Sequence, residues 1–386
     1  MRITLLFIFL FTLSLNVFTQ SLNQLSFGTD STFEVITWNI EHFPKNGQTT
    51  IDSVVEIIQA LDIDVIALQE IDDKSQFIKL INSLDKWDGY CVDSQYSGLA
   101  YLYKTENVKS VNIFEIYTTL WTEFPRAPLI MEMKFNNENL VIINNHFKCC
   151  GNGILELNDT GDEETRRLNA SILLDQYIQE NYPNDKVIIL GDLNDILTDN
   201  ESNNVFEPFL NKPESYRFVD MGIAEGSDTF WSYPWWPSHI DHILVTNELF
   251  EAFLDTNTIV ETIQIDNYFR GGMSEYDDVI SDHRPVALKI SSQEITNANN
   301  FNMVKTQLSN FPNPFQNSTT ILFNSADSNT KIEIYNLTGQ KIESFIINRN
   351  QTSVIWETKD NSNGIYFAKL FENNRIKATK KMILSK

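Results

Sequence analysis

The chain has 386 residues, of which 42% are apolar, and a formal net charge of −23. That size accommodates one large domain plus a smaller one, with enough apolar content for ordinary cores. The acidity excludes a protein that holds nucleic acid on a basic face by charge alone, though not a polyanionic substrate met through metal ions. The charge is uneven: residues 310–386 carry 10 Lys and Arg against 6 Asp and Glu, a balance of +4, which leaves −27 on residues 1–309.

In chain order, Met1-Arg2 is followed by an apolar run over residues 3–18 and a polar exit at Thr19-Gln20. A positive start, a short apolar stretch and a polar end predict a secretory signal peptide over residues 1–20, leaving no transmembrane segment in the mature chain. Residues 33–40 (FEVITWNI) alternate in the manner of a strand, and residues 51–61 (IDSVVEIIQAL) carry apolar side chains at helical spacing. Residues 63–69 (IDVIALQ) predict a buried strand and residues 74–84 a helix. Strands are then expected over 99–103, 128–135 and 140–145, a helix over 163–180, and strands over 186–190, 242–246 and 286–290. The sum is a mixed α/β layered sandwich over residues 30–292. Residues 293–309 are rich in Asn, Ser, Thr and Gln and predict a linker. Residues 310–386 show only short strands, at 319–323, 331–335, 354–356 and 365–370, which predicts a small all-β sandwich.

The cysteines are Cys91, Cys149 and Cys150, an odd number. In an oxidising compartment Cys91 is able to bridge to one of the adjacent pair, and three unbridged thiols are equally compatible with the sequence. No CxxC spacing points to zinc.

Short polar motifs stand at the ends of the apolar runs: Trp38-Asn39, Leu68-Gln69-Glu70, Asn145-His146, Gly191-Asp192-Leu193-Asn194, Ser238-His239-Ile240-Asp241-His242 and Ser281-Asp282-His283-Arg284-Pro285. Carboxylates, amides and imidazoles gathered on one rim are the ligands of a hard divalent cation together with acid/base groups. Taken in order, these motifs resemble those of the endonuclease/exonuclease/phosphatase family, which includes deoxyribonuclease I and bacterial sphingomyelinases. The resemblance covers most of residues 30–292 and implies a four-layer α/β/β/α sandwich.

In the tail, Phe311-Pro312-Asn313-Pro314-Phe315, Ile334-Tyr335-Asn336-Leu337-Thr338-Gly339-Gln340, Asn363-Gly364-Ile365-Tyr366-Phe367 and Lys380-Lys381-Met382-Ile383-Leu384 occur together. They resemble the type A sorting domain of the type IX secretion system of Bacteroidetes. That resemblance implies export through the periplasm, by the type IX machinery, to the outer surface or the medium.

The two resemblances imply a secreted phosphodiester hydrolase, a monomer dependent on magnesium, with manganese or calcium as alternatives. Glu70, Asn39 and Asp282 are the expected metal residues. Asp192 is expected to orient or deprotonate the attacking water, and Asn194 to hold that water or a phosphate oxygen. Asp241 is expected to hydrogen-bond His283, which serves as base or as phosphate clamp. His146 is expected to protonate the leaving oxygen or stabilise the transition state. Arg126 is a candidate phosphate contact, with a surface ion pair as the alternative reading, and Lys148 is similar. Trp231, Tyr233, Trp235 and Trp236 read as an aromatic loop packed around Pro234 and Pro237, or as a platform for a base or lipid headgroup. Nucleic acid, DNA or RNA, is the expected substrate. The alternatives are a sphingomyelinase-like or other small phosphodiester, and a surface binding protein of the same fold without catalysis.

Overall fold

The computed structural model describes residues 22–93, 97–255, 257–291, 308–311, 313, 315–323, 330–337, 339–347, 351, 353–358, 361–372 and 375–385. The expected signal peptide and most of the expected linker lie outside the described residues. The chain divides into two compact units between Asn299 and Asn300.

The first unit runs β1 Thr32–Phe43, α1 Gln48–Leu61, β2 Val65–Ile71, α2 Lys74–Asn82, β3 Trp87–Cys91, β4 Gly98–Lys104, β5 Val108–Glu115, β6 Leu129–Phe135 and β7 Glu138–His146. It continues with α3 Glu163–Asn181, β8 Val187–Asp192, α4 Glu207–Leu210, β9 Tyr216–Phe218, α5 Met221–Ala224, β10 Asp241–Thr246, β11 Ile259–Thr262, α6 Met273–Val279 and β12 Val286–Ser291. One sheet has the order β11-β12-β1-β2-β4-β3, the other β5-β6-β7-β8-β10-β9.

Side-chain alternation along the strands explains the layering. In β1, Phe33 and Val35 face the second sheet, whereas Ile36, Trp38 and Ile40 pack outward against α1, whose Ile51, Val54, Ile58 and Leu61 recur at helical spacing. In β8, Ile188 and Leu190 enter the layer between the sheets, and Val187 and Ile189 pack outward with Ala170, Leu174 and Ile178 of α3. Each such fully buried side chain contributes about 1.5–3 kcal/mol of transfer free energy. Helices outside, two sheets within, give the four-layer α/β/β/α sandwich.

The second unit is all-β: β13 Leu308–Phe311, β14 Ser318–Phe323, β15 Thr330–Asn336, β16 Lys341–Ile347, β17 Ser353–Glu357, β18 Gly364–Glu372 and β19 Arg375–Leu384. These form a β13-β14-β17 sheet and a β16-β15-β18-β19 sheet. Trp356, Ile332, Ile334, Ala368 and Met382 fill its core. Strands β3, β5, β9, β11, β13, β16 and β19 escape the sequence expectation. Most are edge or terminal strands with polar or interrupted patterns, such as WDGYC in β3 and RIKATKKMIL in β19.

Candidate active site

The inward column of each central strand changes from apolar to polar at the same level. In β1 it reads Phe33, Val35, Thr37, Asn39; in β2, Val65, Ala67, Gln69; in β7, Leu140, Ile142, Asn144, His146; in β8, Ile188, Leu190, Asp192. Antiparallel β10 enters at this level with Asp241 before Ile243 and Val245, and pairs Asp241 with Asp192.

The first polar level is a buried floor that ties the sheets together. Gln69 Nε2 donates to Asn144 Oδ1 at 2.8 Å and to Thr37 Oγ1 at 3.1 Å. Asn144 Nδ2 donates to the carbonyls of Leu68 (3.0 Å) and Ala100 (3.1 Å). Sequence reasoning assigned Gln69 no role of its own and passed over Thr37 and Asn144. Their only signal was polarity at an inward-facing position of a buried strand.

The second polar level carries the chemistry. Asn39 Nδ2 donates to Asp192 Oδ2 at 2.9 Å and to Glu70 Oε1 at 3.2 Å. The Asn39 oxygen is engaged by the Glu41 N–H at 3.0 Å. Strand parity alone would turn Glu70 toward the helices. Irregular register between Leu68 and Ile71, with Glu70 at φ 65°, swings it back to the site, a left-handed conformation that non-glycine residues adopt only under local compulsion. The His42 N–H holds its other oxygen at 3.3 Å. His42 itself, read as a loop residue, is exposed and its Nδ1 lies 2.8 Å from Asp72.

Gly191 is required where it stands. At φ 146°, a Cβ there would lie 2.0 Å from the Asn145 carbonyl oxygen on β7. This close approach seats His146 opposite Asp192 in the strand register. His146 Nε2 is then 3.5 Å from Asp192 Oδ2 and 3.8 Å from Glu70 Oε1. Asn194, at φ 53°, donates its N–H to Asp192 Oδ1 at 3.1 Å and its Nδ2 to the Phe147 carbonyl at 3.3 Å.

His283 Nδ1 sits 2.8 Å from Asp241 Oδ2, and its Nε2 faces Asp192 at 3.9 Å and Asp282 at 3.8 Å. The loop carrying it is pinned from both sides. Ser281 Oγ donates to the Asn39 carbonyl (2.7 Å) and accepts from the His283 N–H (2.9 Å). Trp38 Nε1 donates to Tyr276 Oη (3.0 Å), which donates to the His283 carbonyl (2.8 Å). Asp282, half-buried, receives its fix from its own N–H, which donates to Glu41 Oε2 at 2.9 Å.

The electrostatics separate the two imidazoles. Burial, reinforced by the positive charges of Arg126 and His283, holds His146 well below the ordinary imidazole value. Burial also opposes charge on His283, but the charge and hydrogen bond of Asp241, with Asp192 and Asp282 nearby, carry it up to about 10. Burial and the Asp241 charge push Asp192 up to about 7, against the lowering effect of His283 and Asn39. One neutral imidazole, one imidazolium and one carboxyl near neutrality thus share a small volume.

The donor set fits a hard divalent cation. Glu70 and Asp282 present carboxylate oxygens at the partly exposed rim, Asn39 lies between Glu70 and Asp192, and Asp241 Oδ1 has no hydrogen-bond partner among the described residues. Such a concentration of negative charge is stabilised by a cation.

Other candidates resolve differently. Arg126 lies near enough for its charge to act on His146, and lines a cleft with Trp121, Glu115, Asp93 and Leu99. Lys148 Nζ is turned to the Cys149 carbonyl at 2.9 Å and to Glu163 at 3.8 Å, so it serves its own loop. His239 and His242 lie outside the acid cluster, sharing the buried Asp220 carboxylate at 3.0 and 2.6 Å. Of the loop's aromatics, Trp231 and Tyr233 are half-buried, whereas Trp235 and Trp236 do not pack locally and are 52% and 81% exposed. Pairing of Tyr233 with Ser238 makes a short hairpin that throws both indoles outward, while Tyr233 lies against His283 with ring centroids 4.9 Å apart. Arg284, the motif's remaining cation, is buried in an ion pair with Asp266 (2.7 Å), and it holds the segment leading into this hairpin through the Thr229 (2.8 Å) and Ser232 (2.7 Å) carbonyls.

Two sheets whose strand ends pool carboxylates and imidazoles between outer helices form the fold and site of a phosphoesterase. The chain belongs to the endonuclease/exonuclease/phosphatase family, whose model matches residues 36–283. A secretion system C-terminal sorting domain model matches residues 309–385. Among solved structures, a humanised D. rerio TDP2 carrying 14 mutations matches with TM-score 0.50 and 16% identity, over 68% of this chain and 100% of that one. D. rerio TDP2 complexed with a single-strand DNA product matches with TM-score 0.50 and 17% identity, over 67% and 99%. An endonuclease/exonuclease/phosphatase from Bacteroides vulgatus matches with TM-score 0.47 and 16% identity, over 67% and 98%. The two TDP2 likenesses share the fold. No curated protein matches the chain. The sorting domain marks the chain for export, and no helix among the described residues is long and apolar enough to cross a membrane.

Proposed function

We propose that this protein is an exported, divalent-metal-dependent phosphodiesterase that cleaves nucleic acid, DNA or RNA, outside the cell. The observation that supports it best is the convergence of Asp192, His146, Glu70 and the Asp241–His283 pair within hydrogen-bonding or ion-pair reach at one rim. It acts as a monomer, delivered through the periplasm by the type IX machinery after loss of residues 1–20.

Each residue has a role that follows from its environment. Asp192, held by Asn39 and Asn194, orients the attacking water and takes its proton. His283, kept as imidazolium by Asp241, clamps a phosphate oxygen and stabilises the charge that develops on it. His146, kept neutral, hydrogen-bonds the leaving oxygen. Arg126 contacts a flanking phosphate. Glu70, with Asn39 beside it, and Asp282 would hold magnesium, with manganese or calcium as alternatives. When bound, that ion supplies charge neutralisation for the phosphate.

The exposed Trp235 and Trp236 favour a second reading, a sphingomyelinase-like enzyme that rests this hairpin on a lipid surface. The same indoles stack nucleobases in the first reading. Hydrolysis of plasmid DNA, single-stranded RNA, sphingomyelin vesicles and bis-p-nitrophenyl phosphate, with magnesium and then with chelator, tests both. Chelator-sensitive cleavage of nucleic acid is expected. Cleavage of the lipid alone would replace the first reading with the second, and cleavage of nothing would leave a binding protein of this fold.

A further inference from the structure

The loop that leaves β7 directly after His146 holds an adjacent pair of thiols that the hydrolytic site does not use. Cys149 Sγ and Cys150 Sγ lie 2.9 Å apart, inside the contact distance of two non-bonded sulfurs. Cys150 is exposed and Cys149 half-buried, so small reagents reach the pair. Cys150 adopts φ 72°, a left-handed conformation uncommon for a non-glycine residue. Cys91 does not compete for them. It is buried in the layer between the first sheet and its helices, and its thiol donates to the Val92 carbonyl at 3.2 Å.

The loop around the pair is already anchored. Arg167 of α3, 2% exposed, donates from Nη1 to the carbonyls of Lys148 and Cys150, each at 2.8 Å, and from Nε to Asp195 Oδ2 at 2.8 Å. One guanidinium therefore joins the loop after His146 to the loop after Asp192. The Gly153 N–H adds a bond to Glu164 Oε1 at 2.6 Å. Lys148 Nζ lies 3.8 Å from Cys149 Sγ, which puts a cation beside a sulfur that must carry negative charge during exchange.

We propose that Cys149 and Cys150 are a redox-modification site, closing to a vicinal disulfide within one chain by exchange with a small-molecule or protein disulfide. Cys149, beside the Lys148 ammonium, loses its proton and its sulfur attacks one sulfur of, for instance, glutathione disulfide, releasing one glutathione. Cys150, deprotonated in turn, then attacks the Cys149 sulfur and releases the second glutathione. One S–S bond is broken and one formed, and the two thiol protons and two electrons end on the two glutathione molecules. Export, as proposed above, supplies an oxidising compartment, and in the test the disulfide is added directly. The proposal can therefore fail or succeed independently of the hydrolase and export readings.

The test is thiol counting on the purified full chain after equilibration with glutathione disulfide, by alkylation under denaturing conditions and peptide mass measurement. The expected result is one alkylated residue, Cys91, and a 149–150 peptide lighter than its reduced form by two hydrogens. The Cys91→Ala variant should then show no free thiol, no glutathione adduct and no covalent dimer. Persistent alkylation of both Cys149 and Cys150, stable glutathione adducts on either, a bridge to Cys91, or a disulfide-linked dimer would each overturn the proposal.

Discussion

Asn39 on the first sheet and Asp192 on the second are joined across the layer between them, Nδ2 to Oδ2, at 2.9 Å. The same amide nitrogen reaches Glu70, so a neutral group spaces two carboxylates and makes their proximity tolerable. Replacing it by Asn39→Asp would set like charges against one another. We expect Asn39→Ala to lower kcat by roughly 10²–10³-fold, the range for loss of one preorganised donor, with little change in substrate KM. Steady-state kinetics on the substrate found by the panel above checks this, with urea unfolding to confirm the fold.

Asp241 fixes the ring of His283 through Nδ1. Asp241→Asn keeps the shape and removes the charge that keeps the imidazole protonated. The expected loss in kcat is roughly 10²–10⁴-fold, the range of acid–base contributions. A His283→Ala chain should lose activity at least as completely while remaining folded by circular dichroism. Normal turnover by either variant would remove the pair from the mechanism.

The buried trio behind β10 gives a pH dependence of stability. Burial opposes charge on Asp220, but the positive charges and hydrogen bonds of His242 and His239 outweigh it and hold the carboxyl below its ordinary 3.8. Burial likewise opposes charge on His242, but Asp220 and the Asp195 carbonyl outweigh it and raise the ring above its ordinary 6.5. For His242 the contribution is complete below 6.5 and is lost as pH rises through the raised folded value. For Asp220 it is present above 3.8 and is lost as pH falls through the depressed folded value. Urea unfolding of wild type and Asp220→Asn from pH 4 to 9 should show the largest difference between about 4 and 6.5, shrinking at higher pH. A constant difference would show that the pair does not titrate with folding.

Asn144 satisfies two carbonyls and accepts from Gln69 beneath the site. Asn144→Ala leaves these groups buried and unpaired, which costs about 1–3 kcal/mol each. The midpoint of urea unfolding should fall accordingly, and a fall under about 1 kcal/mol would deny the floor its supporting role.

The second unit has its own core around Trp356, and the residues named in the acid cluster all belong to the first unit. Deleting residues 308–386 should leave hydrolysis unchanged and stop delivery to the cell surface or medium. Cell fractionation of the truncated and full chains checks this, and equal delivery of both would refute the sorting role.

Much of this protein is legible in its sequence because period and position carry physical meaning. The continuous run VIAL before Gln69, the run VIIL before Gly191 and the helical spacing of Ile51, Val54, Ile58 and Leu61 are statements about burial, and the sandwich follows from them. The polar residues that end those runs, Asn39, Glu70, His146, Asp192, Asp241 and His283, are for the same reason the residues at one rim. Tertiary structure decided what alternation cannot express. A backbone bend at Glu70 reverses the direction that strand parity assigns. A missing Cβ at Gly191 lets two strands approach closely enough to bring His146 to Asp192. His242 follows Asp241 in β10 yet falls to a different carboxylate, Asp220, because adjacent residues of a strand face opposite layers, and His239, ahead of the strand, reaches the same carboxylate. The roles of Thr37, Asn144, Arg167 and Tyr276 arise only where separate segments meet, as does the outward throw of Trp235 and Trp236. Sequence sets which side chains leave water; the packing of the two sheets decides which of the remaining polar groups face one another.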